Sequence, residues 1–156
     1  MTLPCRIRAP GPGDEAGWRK LWQDYLAFYG VTAPPEVADA LWRRILEPHE
    51  PVHALVAEAR QGFFGAGRLV GFANYVLHPQ TLGPQPVCYM EDLFVVDDAR
   101  GQGVGRAIIE TLMDKGRVEG WPRITWHTHE ANEAARALYE KIVPSDPFIR
   151  YKVKLK

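Results

Sequence analysis

The sequence has little cysteine. Cys5 and Cys88 are the only two, far apart and in no CxxC pair. Neither a disulfide framework nor a thiolate zinc site is expected, and a reducing cytoplasm fits. Excess charge of either sign is also missing. Nineteen Lys and Arg balance nineteen Asp and Glu, so no global field exists to gather DNA, RNA or an anionic membrane, and nucleic acid is not an expected partner. No apolar run approaches the ~18 residues of a membrane span, and the N-terminal stretch MTLPCRIRAPGPGDE lacks the apolar core of a signal peptide. Repeats and low-complexity tracts are absent too. A single domain over residues 1–156 is the expectation, with 46% hydrophobic and 24% charged residues in an ordinary globular balance.

Pro and Gly punctuate a series of periodic segments. CRIRAP, from Cys5 to Pro10, reads as a short strand, followed by a turn with Asp14 as helix N-cap. Trp18, Leu21, Trp22, Tyr25, Leu26 and Tyr29 then recur at helical spacing up to Gly30. A second helix starts at Pro34 and Pro35, repeats through Val37, Leu41 and Ile45, and stops at Pro48. His53 to Arg60 and Arg68 to His78 read as an antiparallel hairpin, and Val87 to Val96 as a further strand. A helix from Gly103 or Val104 to the Gly116–Gly120 region precedes a strand at Arg123 to His129. Asn132 to Ile142 is helical again, and Phe148 to Lys156 alternates as a last strand. The order β-α-α-β-β-β-α-β-α-β is an α+β arrangement, a mixed central sheet flanked by helices.

The most informative stretch is DLFVVDDARGQGVGRAII, Asp92 to Ile109, in which an apolar strand and a short acidic turn lead through RGQGVG into a helix. Glycines at 101, 103 and 105 let the backbone approach a ligand, and the first N–H groups of the helix point outward, unpaired, at its positive end. Such a junction suits a pyrophosphate. A Walker loop would need Gly-Lys-Ser/Thr where the chain has Gly-Arg-Ala, and the dinucleotide fingerprint would need GxGxxG, so neither fits. A tight turn that only joins strand to helix is the other, less favoured reading of the glycines alone.

Strand, RGxGxG and helix together resemble the acetyl-CoA-binding motif of the GNAT N-acetyltransferase superfamily, whose Q/R-x-x-G-x-G/A pattern is matched by Arg100, Gly103 and Gly105. The downstream strand and the helix bearing Asn132 and Tyr139 agree with the same family, so the resemblance covers Glu91 to Ile142. It implies the GNAT fold and acetyl-CoA as acetyl donor, with no metal. Backbone groups of Leu93, Phe94 and Val95 would hold the pantetheine arm, Arg100, Gly101, Gln102, Gly103, Val104, Gly105 and Arg106 the pyrophosphate, and Asn132 the arm again. Many relatives continue past the tyrosine with a Gly-Phe turn, whereas this chain has IVPSDPF. The tail is similar to the subgroup of yeast histone-and-other-protein and D-amino-acid acetyltransferases.

Acetyl transfer to an amine needs a base, a stabilised oxyanion and a proton for the departing thiolate, because a lysine-like amine with a pKa of about 10.4 is mostly protonated at neutral pH. Glu91 and Asp92 stand mid-strand, where a buried carboxylate requires a task or a partner. In a regular strand Glu91 shares a face with Leu93 and Val95 and points at the thioester end, which makes it the base candidate; an arginine-paired or strand-end carboxylate is the other reading. Polyamine acetyltransferases of the superfamily resemble this chain in their Glu-Asp pair, which implies that Glu91 and Asp92 meet the substrate amine. Tyr139, seven residues after Asn132, is the proton donor that the resemblance implies; the residues alone, with Ala135, Leu138 and Ile142 on the same stripe, favour a core tyrosine. The oxyanion would be met by an N–H freed by a bulge between Leu93 and Val95. His127 and His129 share a strand face but find no third metal ligand at a recognisable spacing.

Trp22, Tyr25, Phe28 and Tyr29 crowd the first helix, and Tyr29 is the one assigned to substrate. The expected reaction is acetyl transfer from acetyl-CoA to a primary amine of a small molecule, an amino acid or polyamine, by direct attack in a ternary complex. A protein lysine or N-terminus and a non-catalytic acyl-CoA-binding module are the alternatives. Members of the resembled subgroup often dimerise, so a homodimer paired through the last strand is also expected.

Overall fold

The computed structural model describes residues 2–156. Strand β1 (Cys5–Arg8) is followed by a short turn of 3-10 helix, then helices α1 (Glu15–Phe28) and α2 (Pro35–Leu46). Strands β2 (Val52–Ala59), β3 (Leu69–His78) and β4 (Val87–Val95) lead to helix α3 (Val104–Glu119), a two-residue strand β5 (Ile124–Thr125) and helix α4 (Glu133–Tyr139). The sheet order is β1-β2-β3-β4-β5, antiparallel up to β4 and parallel between β4 and β5. The α+β mixed sheet expected from the sequence is present.

Alternation along β3 sorts the layers. Phe72 packs edge-on against Trp22 and Tyr25 of α1, while a side chain at the neighbouring Gly71 would meet Ile108 of α3 at 3.4 Å. Successive strand residues point to opposite faces, so α1 and α3 cover opposite sides of the sheet. On the α1 side Trp18 stacks on Trp22 and tilts against Trp42 of α2, with ring centroids 5.9 and 5.1 Å apart. On the other side Val104, Ile108, Ile109 and Leu112 are fully buried. Each such residue contributes roughly 1.5–3 kcal/mol of transfer free energy, so both layers of the sheet are well anchored.

Three expectations are corrected. Asp14 is the N-cap residue of α1 by position, but its side chain makes no cap bond to that helix: its carboxylate takes two bonds from the Arg8 guanidinium, at 2.7 and 2.8 Å, and caps the preceding 3-10 turn by accepting from the Gly11 N–H. The strand expected from Arg123 to His129 stops at Thr125, because only Cys88 and Tyr89 of β4 offer it a partner before the two chains part. The last strand, Phe148 to Lys156, pairs with nothing. Its alternating apolar side chains stand in solvent, Phe148 88%, Tyr151 90% and Leu155 91% exposed. That pattern requires a neighbouring edge and a covered face, and among the described residues the rest of the chain supplies neither.

Candidate active site

The parting of β4 and β5 opens a wedge at the C-terminal end of the sheet. The Val96 N–H donates to Val70 O at 2.9 Å. Counting back along an antiparallel ladder, Phe94 and Asp92 also turn their backbone groups toward β3, and Leu93 and Val95 turn theirs outward, where β5 has already left. The pattern is visible at Val95, whose carbonyl is taken by the Arg100 Nε at 2.8 Å. Of the three β4 residues assigned to a pantetheine arm, Leu93 and Val95 thus present backbone to the wedge. Phe94 contributes its ring to the aromatic wall instead.

The glycine loop closes one end of the wedge. Gly101 and Gly103 adopt positive φ, 74° and 83°, which a residue with a Cβ enters only at a cost. That path turns the chain sharply, and among the described residues no close hydrogen bond is donated by the N–H groups from Gly101 to Arg106. The first helical bond runs from Ala107 N–H to Gly103 O. Gly105 has a separate reason: a Cβ there would lie 3.1 Å from the Leu138 side chain, so its absence lets α3 and α4 approach. The two arginines have protein partners. Arg100 lies over the rings of Phe28 and Phe94, 5.0 and 5.5 Å from their centroids, and pairs with Asp97. Arg106 pairs with Glu110 at 2.7 Å. Gln102 is turned to the Asp98 carbonyl. Backbone amides, rather than side chains, are what the loop offers freely to an anion.

Beside the wedge lies a cleft of about 770 Å³, walled by Tyr25 of α1 and Tyr29 at its C-terminal cap, Tyr89, Glu91, Asp92 and Leu93 of β4, Trp126 to Glu130, Tyr139 and Arg150. A β-bulge shapes it. Asn74 faces Asp92 and Tyr75 faces Met90, which leaves Glu91 as the extra residue of β4. The bulge falls at Glu91, not between Leu93 and Val95 as expected, and it breaks the alternation that would have put Glu91 on the face of those two residues. Asp92 turns to the α1 side, where its carboxylate accepts from the Tyr25 hydroxyl at 2.6 Å and the Asn74 amide at 3.0 Å.

The two carboxylates are thereby given different characters. Burial raises the Asp92 pKa, against the lowering effect of its two hydrogen bonds. Glu91, open to solvent in the cleft, has its pKa raised by partial desolvation first and the neighbouring Asp92 second. A carboxylate with a raised pKa is a stronger base. The Tyr25 phenol is pushed up by burial and by its bond to Asp92. Tyr139, the last residue of α4, packs edge-on against Trp126 at 5.5 Å, and burial pushes its phenol up to about 12. It is a protonated donor at neutral pH.

Glu91, Asp92, Tyr29 and Tyr139 therefore share one cleft. Asn132 does not join them: it is the N-cap of α4, its Oδ1 accepting from the Ala135 N–H at 3.3 Å. His127 and His129 are committed separately, His127 to the Tyr89 hydroxyl at 3.1 Å and His129 to the Ala131 N–H at 3.1 Å. Among the described residues no group of three or more His, Cys, Asp or Glu is placed to hold a metal. Sequence reasoning missed Asn74, Tyr89, Trp126 and Arg150. A polar residue at position 74 inside an otherwise apolar strand was the one available signal, and Asn74 is indeed fully buried.

Comparison with known proteins agrees with this geometry. The model of the acetyltransferase (GNAT) family matches residues 18–143, and a D-amino-acid N-acetyltransferase of Saccharomyces cerevisiae is 34% identical over 94% of this chain and 88% of its own length. The chain belongs to the GNAT acetyltransferase family. This GNAT protein also shares its fold with solved structures of low identity. A ribosomal-protein-alanine N-acetyltransferase from Brucella melitensis superposes with a TM-score of 0.78 at 22% identity, covering 97% of this chain and 99% of the other. An aminoglycoside acetyltransferase from a soil metagenome superposes with a TM-score of 0.80 at 16% identity, covering 98% and 97%. The protein is an acetyl-CoA-dependent N-acetyltransferase. The wedge fits that donor: the outward backbone of Leu93 and Val95 matches an extended amide chain, and the run of unpaired N–H groups from Gly101 matches a pyrophosphate.

Proposed function

We propose that this acetyltransferase moves the acetyl group to a primary amine of a small molecule, an amino acid or a polyamine, by direct attack within a ternary complex. The observation that carries the reading is the convergence of Glu91 and Tyr139 in one tyrosine-lined cleft that opens onto the splayed edge of β4. The amino-acid acceptor is supported further by the activity named for the yeast relative.

Acetyl-CoA supplies the activated acetyl group, and the chain's own residues bind, orient and move protons. Leu93 and Val95 receive the arm along the β4 edge, and Gly101 to Arg106 receive the pyrophosphate through N–H groups. Tyr29, with Tyr25, walls the acceptor side, and an ammonium entering there meets Glu91 and Asp92. Glu91 takes the proton from the ammonium, directly or through water, because its raised pKa suits that task. Asp92, fixed by Tyr25 and Asn74, stands beside Glu91 and is the second cause of that raised pKa, after desolvation. The Tyr139 hydroxyl gives a proton to the leaving sulfur. Proton transfers of this kind contribute typically 10²–10⁴-fold.

The test is CoA release, followed with a thiol reagent, across polyamines, D- and L-amino acids, aminoglycosides and lysine peptides. Turnover on a small amine with intersecting initial-rate plots is expected. Parallel plots would remove direct attack, and turnover on peptides alone would move the acceptor to protein.

The exposed C-terminal segment favours a homodimer in which residues Phe148 to Lys156 pair across the interface. Light scattering is expected to give twice the chain mass, and a monomer mass would remove this reading. Cys5 and Cys88, both buried and unpaired, support a reducing compartment such as the cytoplasm.

A further inference from the structure

The acceptor cleft holds a charge that capture of a bare amine does not use. Arg150 comes from the C-terminal segment and lines the same cleft as Glu91 and Asp92. The other arginines around the site are committed: Arg100 to Asp97 and the Val95 carbonyl, Arg106 to Glu110, and Arg136 to Glu140 and the Glu130 carbonyl. Among the described residues Arg150 takes part in no ion pair. Its field nonetheless reaches into the cleft, where it opposes the rise that burial and the two carboxylates impose on Tyr89.

An acceptor with an ammonium alone gains nothing from such a neighbour. A polyamine, cationic along its length, is repelled by it. A zwitterion is the ligand for which carboxylates at one part of a cleft and a guanidinium at another are both attractive. Arginine suits the second role because its planar fork of donors matches a carboxylate bidentately. Tyr89, between the two charges in its electrostatic surroundings, feels both.

We propose that Arg150 is the specificity-determining residue for the acceptor's carboxylate, so that the acetyltransferase takes an α-amino acid whose ammonium enters beside Glu91 and whose carboxylate pairs with the Arg150 guanidinium. This assignment rests on the amine-acceptor reading given above and selects the amino acid over the polyamine within it.

The experiment compares matched acceptors, phenylalanine against phenethylamine and alanine against ethylamine, with the full-length protein and its Arg150→Ala and Arg150→Lys variants. The substituted position is in exposed chain within the segment proposed to pair across the dimer, and equal melting temperatures with an equal mass in light scattering verify that fold and assembly are kept. For the unaltered protein kcat/KM is expected to favour the amino acid over the matched amine. Arg150→Ala is expected to lower kcat/KM at least tenfold for the amino acid, through KM, while leaving the matched amine unchanged or improved. Arg150→Lys is expected to recover part of the loss. Equal losses on both members of a pair, or no loss on either, would overturn the assignment while leaving amine acetylation intact. Absence of turnover on every amine, with acetyl-CoA still binding, would overturn the acceptor reading and this assignment together.

Discussion

The two ends of the sheet are built on different terms. From β1 to β4 every strand is paired along its length, both faces are covered, and the residues at the centre are fully buried. Beyond Trp121 the chain forms a strand of two residues, a helix of seven and a long exposed segment. The first region is held by burial and by strand pairing. The second leaves backbone and side-chain groups unspent, and those groups meet β4, the end of α1 and the glycine loop to form the wedge and the cleft. Stability therefore resides on one side of β4 and chemistry on the other, with β4 common to both.

That division is open to attack. The largest expected effect is at Tyr139, in the open region: Tyr139→Phe is expected to lower kcat about 100-fold with acetyl-CoA affinity and melting temperature unchanged. An unchanged rate would remove the hydroxyl from the mechanism. Next is Glu91→Gln, expected to lower kcat/KM at least about tenfold and to flatten the acid limb of the pH profile, since the base works only when ionised and its raised pKa sets where that limb falls. Asp92→Asn removes the neighbouring negative charge, lowers the Glu91 pKa and is expected to move the same limb to lower pH. A limb unmoved by either change would exclude both carboxylates.

A smaller effect is expected where the two regions meet. Gly103 sits at φ 83°, so Gly103→Ala forces a Cβ into the left-handed region at a cost of about 1 kcal/mol. About fivefold weaker acetyl-CoA binding by calorimetry is the corresponding result, and unaltered binding would show that the loop is not the anchor. The smallest effect on rate is expected at the far edge of the closed region, on β1. Arg8 holds Asp14 and Glu58 below the usual carboxylate range through hydrogen bonds, so Arg8→Ala is expected to cost about 1–2 kcal/mol of stability and none of the turnover. Because those folded pKa values are depressed, the stabilisation is complete above pH ~4–5 and is lost as pH falls through the carboxylate range. The gap in melting temperature between the variant and the unaltered chain should narrow near pH 3. A persistent gap would assign it to lost packing of the arginine stem.

The closed region was legible in the sequence because burial writes itself into the chain: Trp18, Leu21 and Trp22 recur at helical spacing in α1, and β2 and β3, buried on both faces, stand as apolar runs on either side of the glycine-rich QGFFGAG turn. The pyrophosphate loop was legible for a different reason, since Gly101 and Gly103 occupy conformations that few other residues tolerate. The cleft was only half legible. Glu91 and Tyr139 were named, but the bulge that interrupts β4 at Glu91 depends on the register between β3 and β4. The partners that fix Asp92 come from positions 25 and 74. The segment Phe148 to Lys156 misled in the opposite sense. It carries a strand's alternation without a strand's partner.

The splayed edge of β4 has a consequence for inhibition. An unpaired strand edge accepts any extended chain whose amides repeat at strand spacing, and here that edge lies between an anion-binding loop and an acidic cleft. A short linear peptidomimetic with an acidic group at one end and an amine at the other would therefore span the donor and acceptor sites together, using the same backbone rungs at Leu93 and Val95 for both affinity and alignment.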